Sequence, residues 1–144
     1  MSALARVVAE SDPALARHRL TELPQARFDG GDPERSFVLE AIYEGYLMHY
    51  GEPRAFGPMD PDLRLLAGDA LYALGLARLA ELGELEAVSE LADLISLCSW
   101  AEVAGRPELV AEAWAATVER ISGGGGGGVR AAIAPKLART PSEE

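Results

Sequence analysis

The sequence of 144 residues has the length of one domain, and its composition narrows what that domain can bind. It holds 23 acidic and 13 basic side chains, which give a net charge of −10. Because this charge repels nucleic acids and anionic membrane surfaces, we expect neither as a partner. The single cysteine excludes an internal disulfide and a zinc site made of cysteines.

No stretch of the sequence predicts a membrane span or a secretory signal. Residues 1–25 lack a continuous apolar core behind a basic start, and charged residues interrupt the longest apolar segment. We therefore expect a soluble protein that is located in the cytoplasm.

Three Asp-Pro pairs predict helix starts in the first half of the chain. Aspartate caps free backbone N–H groups, and proline fits the first position of a helix. The pairs are Asp12-Pro13, Asp32-Pro33 and Asp60-Pro61. Together with the apolar spacing, they predict helices over 13–23, 33–50 and 61–82, and a further short helix is expected within 1–10.

The helix predicted over 33–50 carries an aromatic edge. Tyr43, Tyr46 and Tyr50 recur at helical spacing, and Met48 lies beside them. Aromatic and methionine side chains are enriched in protein interfaces, so these four residues are candidate partner contacts. The alternative is an edge that is half-buried beneath the loop that follows.

The helix predicted over 61–82 is apolar almost all the way round, and we expect it to be the buried centre of the fold. Asp69 is a lone carboxylate on its apolar stripe and needs a cation, a hydrogen-bond donor, a metal or an open cavity. A candidate ligand site therefore consists of Asp69, Gly68 and Tyr72, and the alternative is a structural aspartate bound by a neighbouring helix. Gly75 lies seven residues after Gly68, and both permit close approach of another helix. Gly75 is therefore a candidate partner contact, and the alternative, which we favour, is tight packing within the fold.

The second half of the chain predicts further helices and a tethered tail. Helices over 84–104 and 107–122 complete an all-α bundle, orthogonal or antiparallel, of five to six helices in one domain over 1–122. Six consecutive glycines, 123–128, predict a flexible linker. The short basic segment 129–144 follows, either as a partly disordered tail or as a helix that docks on the acidic body or on a partner.

The sequence carries no recognisable catalytic or cofactor motif. A phosphate-binding loop, a metal-binding HExxH helix and a G-x-S-x-G turn are all missing. Glu40 and Glu44 have the spacing of paired carboxylate ligands, but without a histidine one turn away we interpret them as a solvated face. We therefore expect no metal, no cofactor and no catalytic residue, and we favour a role other than catalysis.

The segment Leu65–Gly83 resembles the central helix of the trans-isoprenyl diphosphate synthases, which are all-helical enzymes. In that family, an AGD-x-L signature is followed by small and apolar residues. The residues at those positions here are Ala67, Gly68, Asp69 and Leu71. The resemblance implies an all-helical fold and allows an isoprenoid ligand.

The same resemblance implies that the chain is not a complete synthase. The family's catalysis depends on two aspartate-rich motifs whose carboxylates hold Mg²⁺ against a diphosphate, and this sequence contains no DDxxD. Some members of the family pair a catalytic chain with a short helical subunit that lacks both motifs. In its length and its missing motifs, this chain is similar to that small subunit.

Three functional hypotheses remain open. The leading one is a non-catalytic helical subunit or accessory protein that assembles with a larger chain, such as a prenyl diphosphate synthase, or with copies of itself. The second is a small helical domain that binds an apolar or isoprenoid-like ligand in a pocket at Asp69. The third is a scaffold domain of another complex.

Overall fold

The computed structural model describes residues 1–124 and 126–137, and this part of the chain is all-α, as the sequence predicts. A 3-10 helix, Pro13–His18, lies between the first two α-helices. The α-helices are α1 (Ala3–Glu10), α2 (Pro33–Tyr50), α3 (Pro61–Glu81), α4 (Leu85–Val103), α5 (Glu108–Ile121) and α6 (Gly128–Leu137). Contacts group the chain into two compact units, Met1–Leu82 and Gly83–Glu144.

Aspartate caps fix the starts of α2 and α3 where the sequence predicts them. Asp32 Oδ2 accepts a hydrogen bond from the Arg35 N–H at 3.0 Å. Asp60 Oδ2 accepts one from the Asp62 N–H at 3.0 Å. Each cap satisfies a backbone donor that the helix itself leaves unpaired. Since α2 also ends before Gly51, both predicted helices are confirmed.

The helix predicted over 13–23 is shorter than expected. It is a 3-10 helix that ends at His18, and the chain then runs beside the loop that follows α2. The Leu20 N–H donates to the Ala55 carbonyl at 3.0 Å, and the Gly57 N–H donates to the His18 carbonyl at 2.8 Å. Because these backbone groups pair with the loop, they are not available to continue a helix.

The most buried helix of the first unit is α2 and not α3. Ten of the 18 residues of α2 are buried, including Phe37 and Ile42. Only one side of α3 is buried, and its residues are Ala67, Gly68, Leu71, Gly75 and Leu79. This differs from the buried centre predicted over 61–82, because an apolar composition does not by itself place every face of a helix in the core.

Two carboxylates of α2, Glu40 and Glu44, are fully buried, which corrects the interpretation of a solvated face. Glu40 Oε2 binds Arg54 Nη1 at 2.8 Å, and Glu44 Oε1 binds Arg54 Nε at 3.0 Å. The Phe28 N–H donates to Glu40 at 2.7 Å. The Ala55 N–H donates to Glu44 at 2.9 Å. Buried charges require such partners, so this network ties the loops on both sides of α2 to the helix.

A second charge cluster joins α1, α2 and α3. Arg78 Nη1 binds Glu34 Oε2 at 2.6 Å, and Arg78 Nη2 binds Glu10 Oε1 at 2.5 Å. Arg6 also binds Glu34, at 2.9 Å. Hydrogen bonds from Arg78 and then from Arg6 lower the pKa of Glu34, and the bond to Glu34 raises the pKa of Arg78. The cluster therefore holds the charged side chain of Arg78 on the packed side of α3.

In the second unit, α4, α5 and α6 pack against one another. Large apolar side chains supply the core, among them Leu91, Leu94, Leu109 and Trp114. Cys98 of α4 is also buried, and this burial raises the pKa of its thiol to about 12, with the charge of Glu102 acting in the same direction. Cys98 is therefore a packing residue and not a reactive thiol.

The glycine run and the segment after it are described in part. Gly125 and residues 138–144 lie outside the described residues. Helix α6 begins within the predicted linker 123–128 and covers the first part of the predicted tail 129–144. Its Val129 is fully buried, so the described part of the tail is a packed helix.

Candidate functional site

The outward side of α3 is apolar and exposed. Leu65 is 52% exposed and Leu66 is 66% exposed. Exposed alanines continue this side over the following turns: Ala73, Ala77 and Ala80. These two leucines and three alanines are named the α3 face. The structure describes every residue between Leu65 and Ala80, and within this range Asp69 is the only charged residue that is exposed.

Asp69 lies on the α3 face, between Leu65 and Ala73 along the helix, and its carboxylate is exposed, which disfavours the hypothesis of an enclosing ligand pocket at this residue. Its side chain is 68% exposed, and its Oδ1 lies 3.2 Å from His49 Nε2. The Nε2–H group of His49 also donates to the Leu65 carbonyl at 3.1 Å. The carboxylate is exposed because α3 packs on α2 mainly through its opposite side, which holds Ala67, Leu71 and Leu79, although His49 near the end of α2 still reaches Asp69.

Gly68 and Gly75 lie where α3 crosses α2. A Cβ at position 68 would collide with the His49 ring, and a Cβ at position 75 would lie 2.9 Å from Ile42 Cδ1. The close helix approach that these glycines predict is therefore made within the chain. As a result, Gly68 contacts a histidine instead of a ligand, and Gly75 faces α2 instead of a partner.

Tyr72, the third member of the predicted ligand site, also packs against α2. The centre of its ring lies 5.3 Å from the centre of the His49 ring, with the two planes at 67°. Its ring occupies the space beside Gly45, where an added Cβ would lie 2.8 Å from Tyr72 Cδ1. Tyr72 therefore supports the helix crossing.

The predicted aromatic edge of α2 is partly enclosed by the protein itself. The ring of Tyr46 lies 6.3 Å from that of Tyr43 and 5.4 Å from that of Tyr50. Tyr43 is covered further by the Arg54 guanidinium, which lies 4.8 Å from the centre of its ring. Tyr50 is 38% exposed, whereas Met48 is buried in the core and lies away from the surface. Among the four predicted partner contacts on α2, Tyr50 is therefore the one with the most accessible ring.

A cleft of about 300 Å³ lies between the 3-10 helix and α3. Its apolar lining includes Leu15, Leu71 and Leu74, and Asp12 contributes a carboxylate. Asp69 does not line this cleft, so the cleft and the predicted ligand residue are separate features.

Within residues 1–124 and 126–137, no group of three or more His, Cys, Asp or Glu side chains is arranged to hold a metal ion. Across the same residues, every helix is too short or too polar to cross a lipid bilayer.

The α3 face is absent from the partner contacts predicted from the sequence, although the sequence contains a signal for it. A helix that packs on one side needs one apolar stripe, and α3 is apolar on two opposite sides. The second stripe, which begins at Leu65 and Leu66, is the one that the structure leaves exposed.

The chain was compared with known proteins. No family model, no curated protein and no solved structure matches it. The resemblance of Leu65–Gly83 to the prenyl diphosphate synthases therefore stays a hypothesis.

Proposed function

We propose that this chain is a non-catalytic helical subunit that assembles with a partner protein through the α3 face. The observation that carries this proposal is the exposure of Leu65 and Leu66 at one end of that face. Burial of apolar surface stabilises a complex by roughly 25 cal/mol for each Å² removed from water, before the costs of association. A complex in which the partner covers both the leucines and the alanines of the α3 face is stabilised by this burial.

The side chains of the α3 face favour a helical partner. The short side chains of three exposed alanines allow a second helix to pack at a small interaxial distance: Ala73, Ala77 and Ala80. Leu65 and Leu66 project at the N-terminal end of the face and can fill a groove between the side chains of that helix. One partner class follows from the resemblance, a catalytic prenyl diphosphate synthase chain, and a second copy of this chain is the other.

The hypothesis of an isoprenoid-like ligand at Asp69 has less support. An apolar ligand site encloses most of its ligand, whereas the Asp69 side chain is 68% exposed. The neighbouring positions Gly68 and Tyr72 are already packed against α2. Assembly is therefore the function that the geometry supports best.

Light scattering of mixtures tests the assembly proposal. The wild-type chain is measured alone over a range of concentrations and together with a prenyl diphosphate synthase chain from the same genome. We expect a complex in at least one of these samples. We expect Leu66→Glu to abolish it, because the substitution replaces an exposed leucine by a second carboxylate on the α3 face.

Leu20→Glu is the matched control for this experiment. Leu20 is also an exposed leucine of the first unit, at 42%, and it lies outside the α3 face. This variant should assemble like the wild type. A monomer in every sample, or equal assembly by the two glutamate variants, contradicts the proposal.

A further inference from the structure

Helix α6 lies against both α4 and α5, and it is held there by apolar side chains spaced four residues apart. Val129 and Ile133 are buried, and Leu137 is half-buried. This spacing places the three side chains on one side of a helix. The surface formed by α4 and α5 is therefore a groove that accepts an apolar helical stripe.

A buried carboxylate binds the N-terminal end of α6. Glu90 Oε2 accepts a hydrogen bond from the Val129 N–H at 2.8 Å and another from the Thr117 hydroxyl at 2.7 Å. Glu90 and Thr117 are both buried. Because the N-terminus of a helix carries partial positive charge and unpaired N–H groups, the groove recognises a helix start through Glu90.

A buried guanidinium binds the opposite end of α6. Arg106 Nη1 donates to the Lys136 carbonyl at 3.0 Å, and Arg106 Nε donates to Glu108 at 3.2 Å. The C-terminus of a helix carries partial negative charge, so the cation of Arg106 matches it. Glu90 and Arg106 thus fix both the direction and the position of the bound helix.

Two acidic side chains at the rim of the groove, Asp93 of α4 and Glu112 of α5, pair with basic side chains of α6. Arg130 forms two hydrogen bonds with Asp93, at 2.9 Å and 3.3 Å. Lys136 pairs with Glu112 on the other side of the groove. The described part of α6 contains no acidic residue, so its charge complements that of the rim.

The first position of the bound helix requires glycine. Gly128 has a φ of +83°, and a Cβ there would collide with the Glu90 carboxylate. Both the backbone conformation and the contact with Glu90 therefore disfavour any residue that carries a side chain. This requirement, together with the apolar stripe and the basic rim contacts, defines a specific helical ligand.

We propose that the groove between α4 and α5 is a binding site for a basic amphipathic helix that begins with glycine. Helix α6 is its intramolecular occupant, and the corresponding helix of a partner protein displaces it.

Three features make displacement of α6 feasible: its short length, its proline and the glycines that precede it. It has ten residues, which is too short for a helix that is stable by itself, and it contains Pro135, which cannot donate a backbone hydrogen bond. It also follows the glycines at 123–127, and glycine loses more conformational entropy on ordering than any other residue. A segment joined by a short linker competes at an effective concentration of about millimolar, so a longer partner helix without these penalties can replace it.

Peptide binding to the full chain tests this proposal. The probe is a fluorescent peptide with the sequence of residues 126–137, and its binding is followed by anisotropy. In the wild type, α6 occupies the groove and the peptide should bind weakly. Gly128→Ala releases α6, so we expect this variant to bind the peptide at least tenfold more tightly.

Gly126→Ala is the matched control within the glycine run, because a Cβ there meets Glu119 at an ordinary distance of 3.4 Å. This variant should bind the peptide like the wild type. A peptide that carries glutamate in place of Arg130 and Lys136 should lose at least tenfold in affinity for Gly128→Ala. Failure of Gly128→Ala to bind the peptide, or equal binding by all three proteins, overturns the proposal.

Hydrogen exchange of the wild-type chain tests the proposal without any substitution. If α6 leaves its groove as a separate unit, its amides should exchange at least tenfold faster than the protected amides of α4 and α5. If the amides of α6 exchange only together with those two helices, α6 is a permanent part of the core and the proposal is overturned.

Discussion

The imidazole of His49 fills the space beside Gly68, where α2 and α3 cross. Its Nε2–H group donates to the Leu65 carbonyl at 3.1 Å and lies 3.2 Å from a carboxylate oxygen of Asp69. Its ring also packs on Tyr72. One side chain of α2 therefore makes three contacts with α3, and all three depend on the absence of a side chain at position 68.

The first prediction concerns this contact. Gly68→Ala should lower the free energy of unfolding by about 1 kcal/mol or more, because the added methyl group displaces the His49 ring. Alanine is the better helix former by up to about 1 kcal/mol, so a net loss reports the collision. Urea unfolding followed by circular dichroism measures the change.

Gly31→Ala is the control for this prediction, because a Cβ at position 31 meets no atom within 4 Å. Gly31→Ala should change the free energy of unfolding by less than about 0.5 kcal/mol. Adding His49→Ala to Gly68→Ala should recover part of the loss, since it removes the displaced ring. A Gly68→Ala variant as stable as the wild type would show that the crossing has room for a methyl group.

The bounds of α2 and α3 were predictable because they depend on local chemistry. Asp32 and Asp60 act on N–H groups within three residues, and Gly51 ends α2 directly. The packed side of α3 was not predictable in the same way. Both sides of this helix are apolar, so the pattern around Asp69 does not decide which of them meets α2.

The burial of Glu40 and Glu44 could not be predicted from the local sequence pattern either. Their spacing along α2 fits a solvated face as well as a buried pair. The deciding group is Arg54, which lies in the following loop, 14 residues after Glu40 and ten after Glu44. A contact over that distance depends on how the loop folds back, and helical spacing contains no information about it.

The second prediction concerns this buried network. Glu44→Gln should destabilise the protein by about 3 kcal/mol, because it leaves the Arg54 guanidinium without half of its buried charge partners. Glu52→Gln, which changes an exposed glutamate in the same loop as Arg54, should change stability by less than about 0.5 kcal/mol. Urea unfolding at neutral pH measures the free energy of unfolding of both variants. If Glu44→Gln is as stable as Glu52→Gln, the buried network contributes little to the stability of the fold.

The third prediction is a pH dependence that arises from Glu34. Hydrogen bonds from Arg78 and Arg6 lower the pKa of Glu34 below its ordinary value of 4.5. The unfolded chain therefore takes up a proton at a higher pH than the folded chain does. The stabilisation from Glu34 is complete above pH 4.5 and is lost as the pH falls through the lower pKa of the folded state.

Glu34→Gln should therefore lose less stability than the wild type between neutral pH and pH 3. Glu22→Gln provides the comparison, since Glu22 is exposed and should leave the pH dependence of the wild type unchanged. The measurement is the free energy of unfolding in urea at several pH values. Identical pH profiles for the wild type and Glu34→Gln would exclude Glu34 as a source of the acid sensitivity.

The fourth prediction concerns Cys98, whose burial raises the pKa of its thiol from 9.0 to about 12. Three pKa units make the reactive thiolate roughly a thousandfold rarer in the folded chain than in the unfolded chain at pH 8. A thiol reagent should therefore label the native protein very slowly at pH 8 and the urea-unfolded protein at once. Rapid labelling of the native protein would show that Cys98 is accessible.

The same shift predicts how stability changes in alkali. The unfolded chain releases the thiol proton near pH 9, whereas the folded chain keeps it until about pH 12. Stability is therefore unaffected by Cys98 below pH 9 and decreases as the pH rises between these two values. Cys98→Ala removes the thiol, so its unfolding free energy should fall less steeply than that of the wild type between pH 9 and pH 11. Parallel curves over this range would mean that the Cys98 proton is released equally easily in the two states.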